Sequence, residues 1–158
     1  MNIFVLDQTP RGSAKHQCDK HVVKMVLETA QILCSVFYHN STLENIPYRL
    51  THANHPCCIW ARESRGNFDW LIEHFASLLN EYTLRYKKIH KCNDIYQWII
   101  NNYTKLTFEK EEITAFAQAM PDKYRNTDAV EAYRDYYNGE KLGIAKWRHS
   151  KKPDWIQG

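Results

Sequence analysis

No part of this sequence approaches the run of about 18 apolar residues that crosses a bilayer as a helix. The opening residues, MNIFVLDQTPRG, have neither a basic start nor a long apolar core. Neither a membrane span nor a signal peptide is indicated, so a cytoplasmic protein is expected, in the host cytoplasm if the source is viral. The five cysteines are odd in number and form no CxxC pair, which argues against a disulfide framework and for reduced thiols. HExxH is absent too. Cys18 with His21, and His52 with His55 and Cys57, have ligand-like spacings but match no strong zinc signature. No metal and no cofactor is expected. No segment alternates as a strand, and there is neither an internal repeat nor a low-complexity linker.

What is present describes one globular domain over residues 1–158, with 44% hydrophobic and 25% charged residues. The net charge of +3 permits an anionic partner without demanding one. Its distribution says more. From Lys141 to Lys152 the chain carries Lys141, Lys146, Arg148, Lys151 and Lys152 and no acid, with Trp147 and Trp155 close by. A basic, aromatic segment over about 141–158 suits nucleic acid.

The element pattern is helical. A short extended apolar segment, Asn2 to Leu6, ends at the Thr9-Pro10-Arg11-Gly12 turn, and a first helix is predicted from about Ser13 to Tyr38. Pro56 fits the first position of a second helix, capped from Thr51, Asn54 or His55 and running to about Tyr86 with a bend at Gly66. Further helices are predicted after Asp94, over "EEITAFAQAM" up to Pro121, and after Thr127 up to Gly139. The class is all-α: a compact single-domain bundle around the N-terminal helix, expected as a monomer.

On a helical wheel, His21, Lys24, Glu28, Gln31 and Ser35 share one narrow sector, being spaced three, four, three and four. Nearly all the remaining circumference is apolar, from Val22 to Phe37, which implies burial on both flanks of a charged stripe. Lys24 and Glu28 can be a plain i,i+4 pair. Charge is costly to bury without use, however, and a carboxylate beside a lysine and an imidazole supplies base, cation and acid within one short reach. In "THANHPC", His52, Asn54 and His55 stand at the mouth of the helix begun by Pro56, where backbone NH groups favour an anion, with Arg62 farther along. The alternative there is simple capping.

"DKHVVKMVLE" resembles the first helix of the phage endonuclease V type pyrimidine-dimer DNA glycosylases. "NHP" at Asn54 to Pro56 and "EYTLRY", which contains Glu81 and Arg85, are similar to that family and its bacterial relatives, in the same order over roughly the first ninety residues. The resemblance implies an all-α fold that bends duplex DNA and reaches a displaced base. It also implies that Glu28 is the glutamate central to glycosidic cleavage and that His21 is the family's histidine. The family's nucleophile is the α-amine of a threonine exposed by removal of the initiator methionine, whereas this chain begins Met1-Asn2. Where the family has arginines before and three residues after the glutamate, this chain has Leu27 and Gln31.

The expected function is cleavage of an N-glycosidic bond in DNA or a nucleotide. Glu28 stabilises a developing cation or activates water, Lys24 is a possible Schiff-base amine, and His21 and Gln31 orient sugar or base. His52, Asn54, His55 and Arg62 hold phosphate, and Lys146, Arg148, Lys151 and Lys152 contact the nucleic acid. A non-catalytic viral or accessory module that binds a nucleotide or a protein is the rival class, and a metal-dependent nuclease is a third.

Overall fold

In the computed structural model, which describes residues 1–158, the Thr9 hydroxyl accepts the Gly12 amide at 3.0 Å and begins α1, Pro10–His16. The helix predicted from Ser13 to Tyr38 is in fact two. Gln17 takes an extended conformation, and α2, Asp19–Asn40, starts after it. The break has a local cause: the Gln17 amide nitrogen reaches Ile3 O at 2.9 Å and Phe4 O at 3.3 Å. Asn2 to Leu6 is not a strand. Its backbone, buried deep in the core, is satisfied by side chains instead. Ser13 accepts from Leu6 N and donates to Phe4 O, Asn2 Oδ1 accepts from Ile3 N, and Arg134 Nε donates to Leu6 O.

The segment predicted as one helix from Pro56 to Tyr86 is likewise divided, into α3, Pro56–Glu63, and α4, Arg65–Tyr86. Pro56 does open α3, with His55 as its cap. The break is at Ser64, which ends α3 and caps α4 by accepting the Asn67 amide at 3.1 Å. Gly66 is no bend. It is where another part of the chain crosses α4: Gly66 N donates to Glu111 O, and a Cβ there would lie 2.5 Å from Ile113 N.

That crossing chain corrects the helix predicted over "EEITAFAQAM". Residues 106–120 form a strap without helical turns. Its polar groups are spent on neighbours: Thr114 N donates to Asn67 Oδ1, Trp60 Nε1 to Thr114 O, Asn2 Nδ2 to Ala119 O, and Ala119 N to the Tyr133 hydroxyl. Phe116 anchors it against Trp60 and Trp70. Tertiary partners have overridden helical propensity.

Helix α5, Asn93–Asn102, follows, with Asp94 inside its first turn instead of at the cap. Asp128, not Thr127, caps α6, Ala129–Tyr136, by accepting the amides of Val130 and Glu131. Gly139 does not end the helical path, which continues as a wide π turn over Tyr137–Lys141. A side chain at Gly139 would collide with the Tyr124 ring.

The fold is all-helical. Helix α2 packs against α3, α4 and α5, with Val22, Val26, Leu33 and Phe37 fully buried, each worth roughly 1.5–3 kcal/mol of hydrophobic stabilisation. One continuous hydrophobic core includes residues from the N-terminal segment to Tyr137. No helix is long and apolar enough to cross a membrane.

Candidate active site

Two residues at the start of the chain set the geometry. Asn2 is fixed by four hydrogen bonds, to Ala119 O and from Ile3 N, Phe4 N and the Tyr133 hydroxyl. Met1 is thereby carried inward, with its side chain buried and its sulfur 3.6 Å from Cys58 Sγ. Its α-amine lies 3.1 Å from Glu28 Oε1. The other Glu28 oxygen is buried and has no hydrogen-bond partner. A half-satisfied buried carboxylate is costly, which makes such an atom a place to look for chemistry.

A cavity of about 330 Å³ opens beside this pair, lined by Met1, Phe4, Lys24, Glu28, His55 and Lys141 among others. Its volume is at the lower end of ligand-binding cavities, about 300–1,000 Å³. One side is aromatic. The His21, Phe4 and Tyr136 rings stack in that order, with centroids 4.3 and 6.0 Å apart. Phe4 holds a left-handed backbone, φ 58°, a strained conformation for a bulky side chain and one found preferentially at functional sites. The Lys141 ammonium sits 4.9 Å from the Tyr136 ring centroid. Neither Lys24 nor Lys141 has an acidic partner, so the cavity carries unspent positive charge.

Of the stripe seen on the wheel, Lys24 and Glu28 reach the cavity wall and His21 and Gln31 do not. His21 is buried behind Phe4, with Nδ1 2.6 Å from the Tyr137 hydroxyl. Burial above all, then the charges of Lys141 and Lys24, push its pKa down to about 4. It is a neutral ring at physiological pH. Gln31, one turn past Glu28, stays half-buried outside the lining.

His55 does line the cavity, but its Nδ1 is used to accept the Cys57 amide at 3.1 Å. Burial, then the Met1 ammonium, then His52 lower its pKa, against an opposing pull from Glu28. His52 and Asn54 are exposed. Arg62 belongs elsewhere: its guanidinium donates to Ala53 O at 2.6 Å and faces a separate polar cavity with Asn40, Thr107 and Lys110.

Of the spaced residues considered as metal ligands, Cys18 and His21 are both bonded to Tyr137. Tyr137 Oη accepts the Cys18 amide, donates to its sulfur, and bonds His21. The tyrosines of α6 and the π turn divide in two: Tyr133 and Tyr137 are fully buried, while Tyr136 is on the cavity wall. Lys146, Arg148, Lys151 and Lys152 are exposed. Arg148 N lies 3.0 Å from both Asp19 oxygens, and Lys151 and Lys152 join Lys15 around a hollow of about 140 Å³, where Lys151 pairs with Asp154 at 3.1 Å.

Sequence reasoning missed Met1, Ala119, Tyr136 and Lys141. They come from the terminus, the strap, α6 and the π turn, and the one available signal was a polar residue, Asn2, heading an apolar run. A family model described as pyrimidine dimer DNA glycosylase matches residues 1–94, more than half of the chain. No curated protein and no solved structure matches.

Proposed function

Because the chain belongs to the pyrimidine dimer DNA glycosylase family, we propose that it cleaves the N-glycosidic bond of a damaged or modified base in DNA, at the cavity shared by Met1 and Glu28. One observation carries this reading. A primary amine lies 3.1 Å from one oxygen of a buried carboxylate whose second oxygen is unspent, on the wall of an open cavity.

The chemistry follows from that geometry. The amine sheds a proton to Glu28 Oε1, the acceptor within reach, and its lone pair attacks the anomeric carbon. The bond to the base breaks, and the base leaves with the bonding pair and takes up the proton that Glu28 received, which returns Glu28 to its charged form. Glu28 also faces the positive charge that develops on the sugar. Opening of the sugar ring turns the new C–N bond into an iminium, and water releases the amine. His55, held by Cys57 N on the wall of the same cavity, positions the terminus.

Lys24 and Lys141 supply charge for flanking phosphates, standing in for the arginines that Leu27 and Gln31 replace. Lys146, Arg148, Lys151 and Lys152 extend the phosphate contacts. Arg62, tied to Ala53, has no part.

Borohydride trapping tests the reading. Incubation with a duplex containing an abasic site, and separately a pyrimidine dimer, should yield a covalent adduct that peptide mapping assigns to Met1. An adduct on Lys24 would transfer the nucleophile to that side chain, and no adduct with no base release would leave a binding protein only.

A further inference from the structure

An enzyme that acts on a base has to take it out of the helical stack, and proteins that open a stack commonly insert an aliphatic side chain between base steps. One loop beside the cavity has the form for this. Lys141 is on the cavity wall, and the next residues, Leu142 to Ile144, form an exposed turn before Ala145 packs back against the core. Leu142 and Ile144 are each 38% exposed. Between them, a Cβ built at Gly143 would meet nothing within 4 Å, so the crest of the turn is open, with Leu142 Cδ1 lying near the C-terminal Gly158.

Scattered exposed aliphatics are ordinary. Three further facts separate this pair from that background. The turn is closed on itself, Ile144 N bonding Lys141 O at 3.1 Å and Ala145 N bonding Leu142 O at 3.3 Å. It is anchored at both feet, upstream by fully buried Tyr137, downstream by Asp19 N on Lys146 O at 2.7 Å and Trp147 Nε1 on His16 O at 2.9 Å. Cations flank it, with Lys141 before and Lys146 after, neither in an ion pair, and Arg148, paired with Asp19 at 3.7 Å, just beyond. A rigid apolar tip between positive shoulders complements a base stack between phosphates better than it does a neutral protein groove.

We propose that Leu142 and Ile144 form a wedge that enters the DNA stack next to the cavity and holds open the space left by the displaced nucleotide. This rests on the DNA-cleaving reading above.

The test uses the full chain and a duplex with an abasic-site analogue next to 2-aminopurine, whose fluorescence rises when it is unstacked. Saturating protein should raise the signal several-fold. Leu142→Ser combined with Ile144→Ser should abolish that rise while leaving the salt slope of binding, which counts phosphates, as it was. Leu142→Ile with Ile144→Leu should restore it, because apolar bulk is what acts. The ratio of trapping rates on duplex over single-stranded abasic DNA should fall at least tenfold in the serine variant, since only the duplex has a stack to break. Should circular dichroism show the double variant misfolded, Ile144→Ser alone takes its place with the same expectation in weaker form. Equal fluorescence in parent and serine variants, or no rise in the parent, overturns the wedge. Trapping without a fluorescence contrast would retain the glycosylase reading and remove the wedge, and a contrast without trapping would do the reverse.

Discussion

The guanidinium of Arg85, near the end of α4, lies 3.2 Å from the carboxylate of Asp19, the first residue of α2. Arg85 is 1% exposed and also pairs with Glu81 at 2.9 Å and donates to the carbonyls of Gln17 and Lys15. This joins the two sequence stretches, "DKH" and "EYTLRY", that recur together in the family resemblance: one supplies the acid, the other the base. Removing one member of a buried, hydrogen-bonded ion pair typically costs about 3–5 kcal/mol. Arg85→Met should therefore lower the urea midpoint strongly. A loss below about 1 kcal/mol would mean that the pair is a passive neighbour.

Glu28→Gln keeps the shape of the side chain and removes its charge and its capacity to take a proton. Folding should survive, and single-turnover base release should slow at least ~10²-fold. Full activity in this variant would return Glu28 to a structural role beside the terminus.

Extending the chain by one residue ahead of Met1 moves the amine away from Glu28 Oε1, 3.1 Å distant in the structure. The trapped adduct should disappear, while Lys24→Ala should keep it. The opposite pattern would make Lys24 the nucleophile.

Two lysines on the cavity wall without acidic partners should each neutralise about one phosphate. Lys24→Gln and Lys141→Gln are each expected to reduce the slope of log binding constant against log salt by about 0.9. Anisotropy titrations over a range of salt concentrations measure it directly. An unchanged slope would mean that neither lysine touches the backbone.

Acid stability follows from two buried histidines. His21 and His74 are both pushed down to about 4 from an ordinary value of 6.5, each chiefly by burial. His74 is fixed in addition by Pro10 O and the Gln17 amide. Between pH 6.5 and 4 the unfolded chain takes up protons that the folded chain refuses, so stability falls as the pH falls through that window, by roughly 3 kcal/mol per histidine at its lower end. Urea midpoints at pH 7 and pH 4.5 check the sign. A protein as stable at 4.5 as at 7 would show that these rings are hydrated.

How much of this was legible in the sequence depends on what each residue is held by. The α2 core face could be read because burial on an α-helix repeats every 3.6 residues, and the same wheel brought Lys24 and Glu28 together. His55 was legible through the proline after it. The division at Gln17 was not, because its cause is a bond to Ile3 and Phe4, which no local pattern records. Residues 111–120 of the strap read as helical because Ala, Glu and Gln favour helices, yet the amides of Thr114 and Ala119 belong to Asn67 and Tyr133. His21 seemed a site residue by spacing, but Phe4, turned by an unusual backbone angle, stands between it and the cavity.

Ala119, Tyr136 and Lys141 reach the cavity from beyond residue 94, where the family model ends. The amine and carboxylate lie within the matched part, so under the proposed reading the reacting pair and part of the wall that shapes the cavity come from different lengths of chain. On the same reading, substitutions at positions 119, 136 and 141 should alter the shape and charge of the cavity while leaving Met1 and Glu28 in place. A library confined to those three positions is thus a route to new base preferences on unchanged chemistry, with Met1 and Glu28 as its fixed points.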